Sequence, residues 1–181
     1  MEGISKMKER ILRIIWEIEN PATAQEISVK TGLKRRAVNT YLLGLRRAGF
    51  VTMSGDCYVI TEKGKESIGL PKINKEMAEK ILSKKPTENA FHFYTEVNQP
   101  LGLSSDSLTH LCEKIRMVNI KSIEFHVARG DFESWIRFLG DIELSERIRM
   151  LNDVVSTGEA LREKLYETIR SRRDELLERV T

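Results

Sequence analysis

The stretch TAQEISVKTGLKRRAVNTYLLGLRRAGFV, residues 23–51, decides the fold of the first part of the chain. Thr23 and Glu26 have the spacing of a capping box, in which a hydroxyl and a carboxylate each satisfy a free backbone amide, so a short helix is predicted to begin at Thr23. Gly32 ends that helix and makes a tight turn. A longer helix is predicted from about residue 34 to residue 48, because its apolar side chains recur at helical spacing on one stripe: Val38, Tyr41, Leu42 and Leu45.

The segment before this stretch predicts one more helix. Over residues 5–19, apolar side chains recur at helical spacing along one face. Asn20 and Pro21 end the helix, since a residue before proline avoids the helical conformation. The first residues lack the apolar run of a secretory leader, and no stretch reaches the roughly eighteen apolar residues of a membrane span. We therefore expect a cytoplasmic protein that does not enter a membrane.

The segment after the long helix predicts a small hairpin. Residues 50–53 and 57–60 are rich in β-branched and aromatic side chains, and the turn at 54–56 contains a Gly-Asp pair. Thr61 is predicted to cap a final short helix. A linker at 69–74 then separates a first domain, residues 1–70, from a second, residues 71–181.

Three segments in this order carry a family resemblance. Residues 23–33 resemble the second helix and turn of prokaryotic winged helix-turn-helix transcriptional regulators, residues 38–51 resemble their recognition helix, and residues 58–64 resemble the strand that closes their wing. The resemblance implies a domain that binds double-stranded DNA. It also implies that the helix at about 34–48 enters the major groove and reads the base sequence.

The charge distribution agrees with a polyanionic partner. Residues 1–70 contain twelve Lys and Arg against eight Asp and Glu, a net charge of +4, whereas residues 71–181 contain eighteen against nineteen, a net charge of −1. Within the first part, residues 27–55 contain six basic side chains and no acidic one. An acid-free basic stretch of this kind favours nucleic acid over a mixed, solvated helix face.

The predicted DNA contacts lie on the long helix. Side chains near the start of a recognition helix reach base edges, where Arg pairs with guanine and Asn with adenine. Four residues are therefore assigned to bases: Arg35, Arg36, Asn39 and Thr40. Lys34 lies at the same end, in a position where Ser or Thr is the usual cap. Arg46 and Arg47 are assigned to phosphates or to a dimer partner. The tip of the hairpin, Gly55-Asp56, is acidic, so little contact from the wing is expected.

The second domain is predicted to be helical, with one extended segment at 91–94. Ser156 and Glu159 form a second candidate capping box before a long last helix. Short motifs are spread over residues 91–141 of the domain: FHF at 91–93, SL at 107–108, FH at 125–126, RGDFESWI at 129–136 and LGD at 139–141. With these motifs, residues 91–144 resemble small uncharacterised helical domains of archaeal proteins. The resemblance implies a fold unit with no assigned chemistry.

Four side chains of this domain could suggest a metal or acid–base site: His92, Glu124, His126 and Asp131. The interpretation preferred for the two histidines is a hydrogen-bonded core histidine beside aromatic rings. Asp131 is predicted to cap a helix, and Trp135 to belong to the core. The sequence has no nucleotide-binding glycine loop and no hydrolase or metalloprotease motif, and its two cysteines are far apart. No catalytic, cofactor-binding or metal-binding residue is predicted, and no enzyme.

The expected fold class is mainly α with a small β-hairpin, as a winged helix-turn-helix followed by an all-α domain. The predicted function is that of a sequence-specific transcriptional regulator, a homodimer whose second domain dimerises or senses an unidentified small-molecule effector. Two alternatives stay open at this point. One is a winged helix that binds an acidic protein surface, and the other is a regulator that responds to a metal or a metabolite through His92 and His126.

Overall fold

The computed structural model describes residues 4–18, 21–154 and 157–181, and the chain divides into two units, the first ending at Lys72 and the second beginning at Ile73. Asn20, predicted to help end the first helix, and Ser156, predicted to start a capping box, lie outside the described residues. Of the helices described, none is both long enough and apolar enough to cross a membrane.

The first unit has the element order that the sequence predicts. Its elements are α1 (Lys6–Glu17), α2 (Ala24–Thr31), α3 (Arg35–Arg47), β1 (Val51–Ser54), β2 (Cys57–Ile60) and α4 (Glu62–Ser67). Strands β1 and β2 pair antiparallel, with Val51 opposite Ile60. Ala22 adds a single bridge to Tyr58 on the outer side of β2, through two backbone hydrogen bonds of 2.9 and 2.8 Å.

Local signals fix the boundaries of α2. The backbone amide of Thr23 donates to the Glu26 carboxylate at 2.8 Å, and the amide of Glu26 donates to the Thr23 hydroxyl at 3.2 Å, so the predicted capping box is confirmed. Gly32 follows the helix with a φ of 73°, a conformation that glycine adopts without strain. The fully buried side chains of α1, α2 and α3 form the core of this unit: Ile11, Leu12, Ile27, Val38, Leu42 and Leu45.

The second unit is built around one long helix. Its elements are α5 (Lys75–Leu82), a 3-10 turn (Thr87–Asn89), β3 (Phe91–Glu96), β4 (Gln99–Ser105), α6 (Leu108–Met117), α7 (Ile120–Arg129), α8 (Asp131–Leu139), α9 (Ile142–Val154) and α10 (Gly158–Val180). Helix α10 packs against α5, α6, α7 and α9. Its core-facing residues follow helical spacing: Leu161, Leu165, Ile169 and Leu176.

A buried ion cluster joins α10 to the start of α9. The Arg172 guanidinium donates to both oxygens of Asp141, at 2.8 and 3.1 Å, and lies 3.3 Å from the Glu143 carboxylate. Burial alone would lower the pKa of Arg172, but the hydrogen bonds and charge of Asp141, with the charge of Glu143, raise it. Removing one partner of such a pair strands a charge, so Asp141 fixes where α10 can dock.

The predicted fold class is confirmed, because the chain is mainly helical and its first unit has three helices followed by an antiparallel hairpin and a short helix. The second unit differs from the all-α prediction in one element. The extended segment at 91–94 lies in β3 and pairs antiparallel with β4 to form a second hairpin. Strand β4 has the sequence QPLGLSS, in which Pro100 and Gly102 lower strand propensity, so its pairing is decided by the partner strand rather than by local sequence.

Gly64 lies so close to the backbone of Phe50 that a substitution at Gly64 tests the fold of the first unit. A Cβ atom at Gly64 would lie 2.2 Å from the carbonyl oxygen of Phe50. Gly64→Ala should therefore lower the free energy of unfolding by about 1–3 kcal/mol, as overpacking does. Gly44→Ala is the matched control, because a Cβ there would meet only Lys8 at 4.0 Å, and alanine in a helix should stabilise by about 0.5–1 kcal/mol.

Urea unfolding followed by the fluorescence of Trp16 measures both changes. Parent and variants all carry Trp135→Phe, which leaves Trp16 as the single tryptophan. Equal stability of the Gly64 and Gly44 variants would contradict the packing of α4 against the chain at Phe50.

Candidate nucleic-acid interface

The buried apolar side chains of α3 fix which side of the helix faces solvent. Val38, Leu42 and Leu45 are all 0% exposed. Because successive residues of a helix are rotated by about 100°, burying these three directs the opposite side of α3 to solvent. The orientation of the exposed face is therefore a consequence of core packing.

All seven predicted DNA-contact residues are exposed: Lys34, Arg35, Arg36, Asn39, Thr40, Arg46 and Arg47. The six that belong to α3 fall within an arc of about 140° on its surface, and Lys34 immediately precedes the helix. The structure thus brings the predicted set together on one face, called here the α3 face. That these residues contact DNA stays a prediction. Leu43, 48% exposed, lies in the same arc and was not included in the predicted set.

Side-chain hydrogen bonds fix the turn that leads into α3. The buried Thr31 hydroxyl donates to the carbonyl of Ile27 at 2.7 Å and accepts from the amide of Leu33 at 3.3 Å. The Ser28 hydroxyl donates to the carbonyl of Leu33 at 2.6 Å. The two bonds to Leu33 tie the turn to the last part of α2, so the turn sets the direction in which α3 leaves α2.

The N-terminal end of α3 is electrostatically unusual. Lys34 takes the N-cap position, and no side chain of the described residues caps the helix. The first turn contains Arg35 and Arg36 and no acidic residue, although the positive end of the helix dipole favours acids there by about 0.3–1 kcal/mol each. Free amides, the dipole and three cations all attract an anion at this end.

Two residues of the α3 face have bonds within the unit. The Arg46 guanidinium donates to the sulfur of Met53 on β1 at 3.0 Å, which directs this side chain toward the hairpin. The Thr40 hydroxyl donates to the carbonyl of Arg36 at 3.1 Å, so its lone pairs remain available as acceptors. Arg46 therefore lies where α3 meets β1, and Thr40 stays on the helix surface.

The hairpin tip offers no cation. Ser54 and Cys57 close a two-residue turn in which Gly55 has a φ of 57° and Asp56 is exposed. A carboxylate at this position repels a phosphate backbone. The expectation of little wing contact with DNA stands as a prediction.

In the second unit, His126 is a hydrogen-bonded core histidine, as interpreted from the sequence. It is 3% exposed, and its Nε2 accepts from the backbone amide of Tyr94 at 2.8 Å. The proton of the neutral ring is therefore on Nδ1, which lies 2.7 Å from the Asp131 carboxylate. Burial lowers the pKa of His126, and the carboxylate of Asp131 opposes that shift without outweighing it.

Two further residues of the candidate metal or acid–base site, His92 and Glu124, have hydrogen-bond partners of their own. His92 is exposed and its Nε2 lies 3.1 Å from the carbonyl of Thr87, so the interpretation as a core residue is wrong for this histidine. Glu124 accepts from the amide of Gly158 at 2.8 Å. Across the described residues, no group of three or more His, Cys, Asp or Glu side chains could hold a metal ion.

The prediction that Asp131 caps a helix is wrong. Gly130 takes the N-cap position of α8, and Asp131 is the first helical residue. The carboxylate bonds His126 and Arg129 instead of a backbone amide of α8, because the turn at Gly130 directs it back toward α7. Sequence spacing reveals the turn but not this non-local partner.

Comparison with known families assigns both parts of the chain. The first unit is a winged helix-turn-helix, since the pattern of the family described as "Winged helix-turn-helix" matches residues 7–79. The chain belongs to a family of unknown function, DUF5752, whose pattern matches residues 70–170. No curated protein and no solved structure matches the chain. The predicted resemblance of the second part of the chain to an uncharacterised family is thereby confirmed, and its archaeal character stays a prediction.

The buried His126 predicts a pH dependence of stability. Its pKa is lowered in the folded state, so below its ordinary value of about 6.5 the unfolded chain binds a proton that the folded chain does not. The resulting stability is present above pH 6.5 or so and is lost as the pH falls, by up to about 1.4 kcal/mol per pH unit. His126→Phe should flatten this slope between about pH 7 and 5.

Urea unfolding at several pH values, followed by circular dichroism, measures the slope. Phe132→Leu is the control, because it weakens the same core without removing a titratable group and should shift the curve without changing its slope. Parallel curves for the wild type and His126→Phe would contradict a neutral, buried His126.

Proposed function

We propose that this protein is a sequence-specific, double-stranded DNA-binding transcriptional regulator that places α3 in the major groove. The observation that carries the proposal is the α3 face. It combines six exposed polar or basic side chains on one arc of a rigidly packed helix with an N-terminal end that has no cap and no acid. A helix of this kind fits the major groove, and its charges suit the phosphates on either side.

The proposed roles follow from position along α3. Arg35, Arg36 and Asn39 lie in the first turns, where side chains reach base edges, and Thr40 adds an acceptor beside them. Lys34 and the free amides at the start of α3 meet a phosphate. Arg46 and Arg47, about three turns further along, contact the backbone rather than the bases.

We further propose that the protein acts in the cytoplasm as a homodimer and catalyses no reaction. Two copies that bind two half-sites multiply their affinity, since the second contact becomes intramolecular. Light scattering of the purified protein measures the mass directly. A mass of twice 20.9 kDa supports the dimer, and a mass of 20.9 kDa at micromolar concentration contradicts it.

The first test removes the proposed base contacts. Arg35→Ala combined with Arg36→Ala should weaken binding to duplex DNA from the protein's own upstream region by at least about tenfold, because each bidentate contact contributes roughly 1–3 kcal/mol. Affinity for scrambled DNA should fall less, so the preference for the native duplex should shrink. Fluorescence anisotropy with the two labelled duplexes measures both affinities.

The matched control is Lys75→Ala combined with Lys121→Ala. It removes the same charge from exposed positions of the second unit. If both double variants lose the same affinity, net charge and not the α3 face determines binding. If the wild type binds no duplex at low salt, the α3 face becomes a candidate surface for an acidic protein, and the proposal fails.

The second test concerns the phosphate contacts. Arg46→Ala combined with Arg47→Ala should weaken binding to native and scrambled duplexes alike. Each lost phosphate contact should also make the plot of log affinity against log salt concentration less steep by about 0.9. Anisotropy titrations across a salt series measure the slope. A lost preference for the native duplex with an unchanged slope would instead place these arginines on bases.

A further inference from the structure

The second unit contains a cavity of about 550 Å³ whose lining combines four aromatic rings with charged and polar side chains. It lies between the β3–β4 hairpin, the end of α7 and the start of α8, and Phe91, Phe125 and Trp135 are among its lining residues. Its volume falls within the range of about 300–1,000 Å³ that is typical of small-molecule sites. Neither the DNA-binding proposal nor the buried core accounts for it.

Bonds within the wall hold it in shape. The Phe91 ring stacks on Phe132 at a centroid distance of 4.6 Å. The Trp135 indole donates to the carbonyl of Asn89 at 2.9 Å, and His126 accepts from the amide of Tyr94. Ring positions fixed in this way make a preformed site, which loses little conformational entropy when a ligand binds.

Two opposite charges face this cavity from either side of Gly130. Gly130 has a φ of 71° and ends α7 while capping α8, so Arg129 and Asp131 both line the cavity. Nε of Arg129 donates to Oδ2 of Asp131 at 3.2 Å, and the guanidinium lies 5.1 Å from the centre of the Phe125 ring. Among the described residues, the terminal amino groups of Arg129 and Oδ1 of Asp131 have no hydrogen-bond partner.

The charged groups of the lining favour a ligand that carries one positive and one negative group. His126 is neutral, since Tyr94 occupies its Nε2 and its single ring proton faces Asp131. Besides the imidazole of His92, whose Nε2 lies 3.1 Å from the carbonyl of Thr87, the lining has one cation, Arg129, against two carboxylates, Glu96 and Asp131. A purely anionic ligand would meet an excess of negative charge, and a purely cationic one would leave the two-pronged donor of Arg129 unused.

We propose that this cavity binds an α-amino acid with an apolar side chain. The carboxylate of the ligand pairs with the terminal amino groups of Arg129, and its ammonium donates to Oδ1 of Asp131. Its side chain packs against Phe125 and Trp135. This is a ligand-binding activity of the second unit, and it does not depend on whether the first unit binds DNA.

Isothermal titration calorimetry of the full chain tests the proposal with free amino acids. The probes are L-phenylalanine, L-tryptophan, L-leucine and L-methionine at up to about 10 mM, which detects dissociation constants in the millimolar range. At least one should bind. For that amino acid, the two analogues that lack either the ammonium or the carboxylate, such as 3-phenylpropionate and phenethylamine for L-phenylalanine, should each bind at least about tenfold more weakly.

The matched variants are Arg129→Gln and Arg137→Gln. Both arginines are 53% exposed and paired with an acid, but only Arg129 lines the cavity. Arg129→Gln should weaken binding about ten- to a hundredfold, and Arg137→Gln should leave it unchanged. Circular dichroism and thermal unfolding without ligand establish that both variants are folded.

Three results would overturn the proposal: no heat from any of the four amino acids, equal binding of a one-charge analogue, or equal affinity in the two arginine variants. Because no DNA is present in this assay, each of these results leaves the proposed regulator function untouched.

Discussion

The burial of one apolar stripe on α3 is the constraint on which the proposed DNA-binding surface depends. Val38, Leu42 and Leu45 contact the rest of the first unit and are fully removed from water. The hydrophobic effect therefore determines which way Arg35, Arg36 and Asn39 point, although none of these polar residues contributes to the core. The hydrogen bonds of Ser28 and Thr31 to Leu33 in the turn set the direction of α3, so the core and the turn together determine where the charged face points.

The sequence alone was sufficient wherever the signal was local. The capping box at Thr23, the turn at Gly32 and the stripe of α3 each depend on residues a few positions apart, and all three appear in the structure as predicted. The α3 face could be assembled from helical spacing for the same reason. Leu43 lies in the same arc, but its apolar side chain carries neither charge nor hydrogen-bonding groups, so patterns of such groups do not identify it.

Non-local partners account for what the sequence did not reveal. Strand β4 becomes a strand through pairing with β3, in spite of its own proline and glycine. Asp131 is separated from His126 by five positions, yet their bond depends on the turn at Gly130, and the amide of Tyr94 comes from a strand more than thirty residues earlier. Periodicity and capping rules describe one element at a time, so they contain no information about contacts between residues of different elements.

At the uncapped start of α3, substitutions that stabilise the helix also remove positive charge. A serine, threonine or aspartate in place of Lys34, or an acid in place of Arg35, would strengthen the helix by local rules alone. The same substitutions would remove the charges that make this end attractive to an anion. Thermostability and the proposed affinity for DNA thus oppose each other at a single helical turn, and selection or engineering for heat resistance alone would erode the proposed DNA-binding surface.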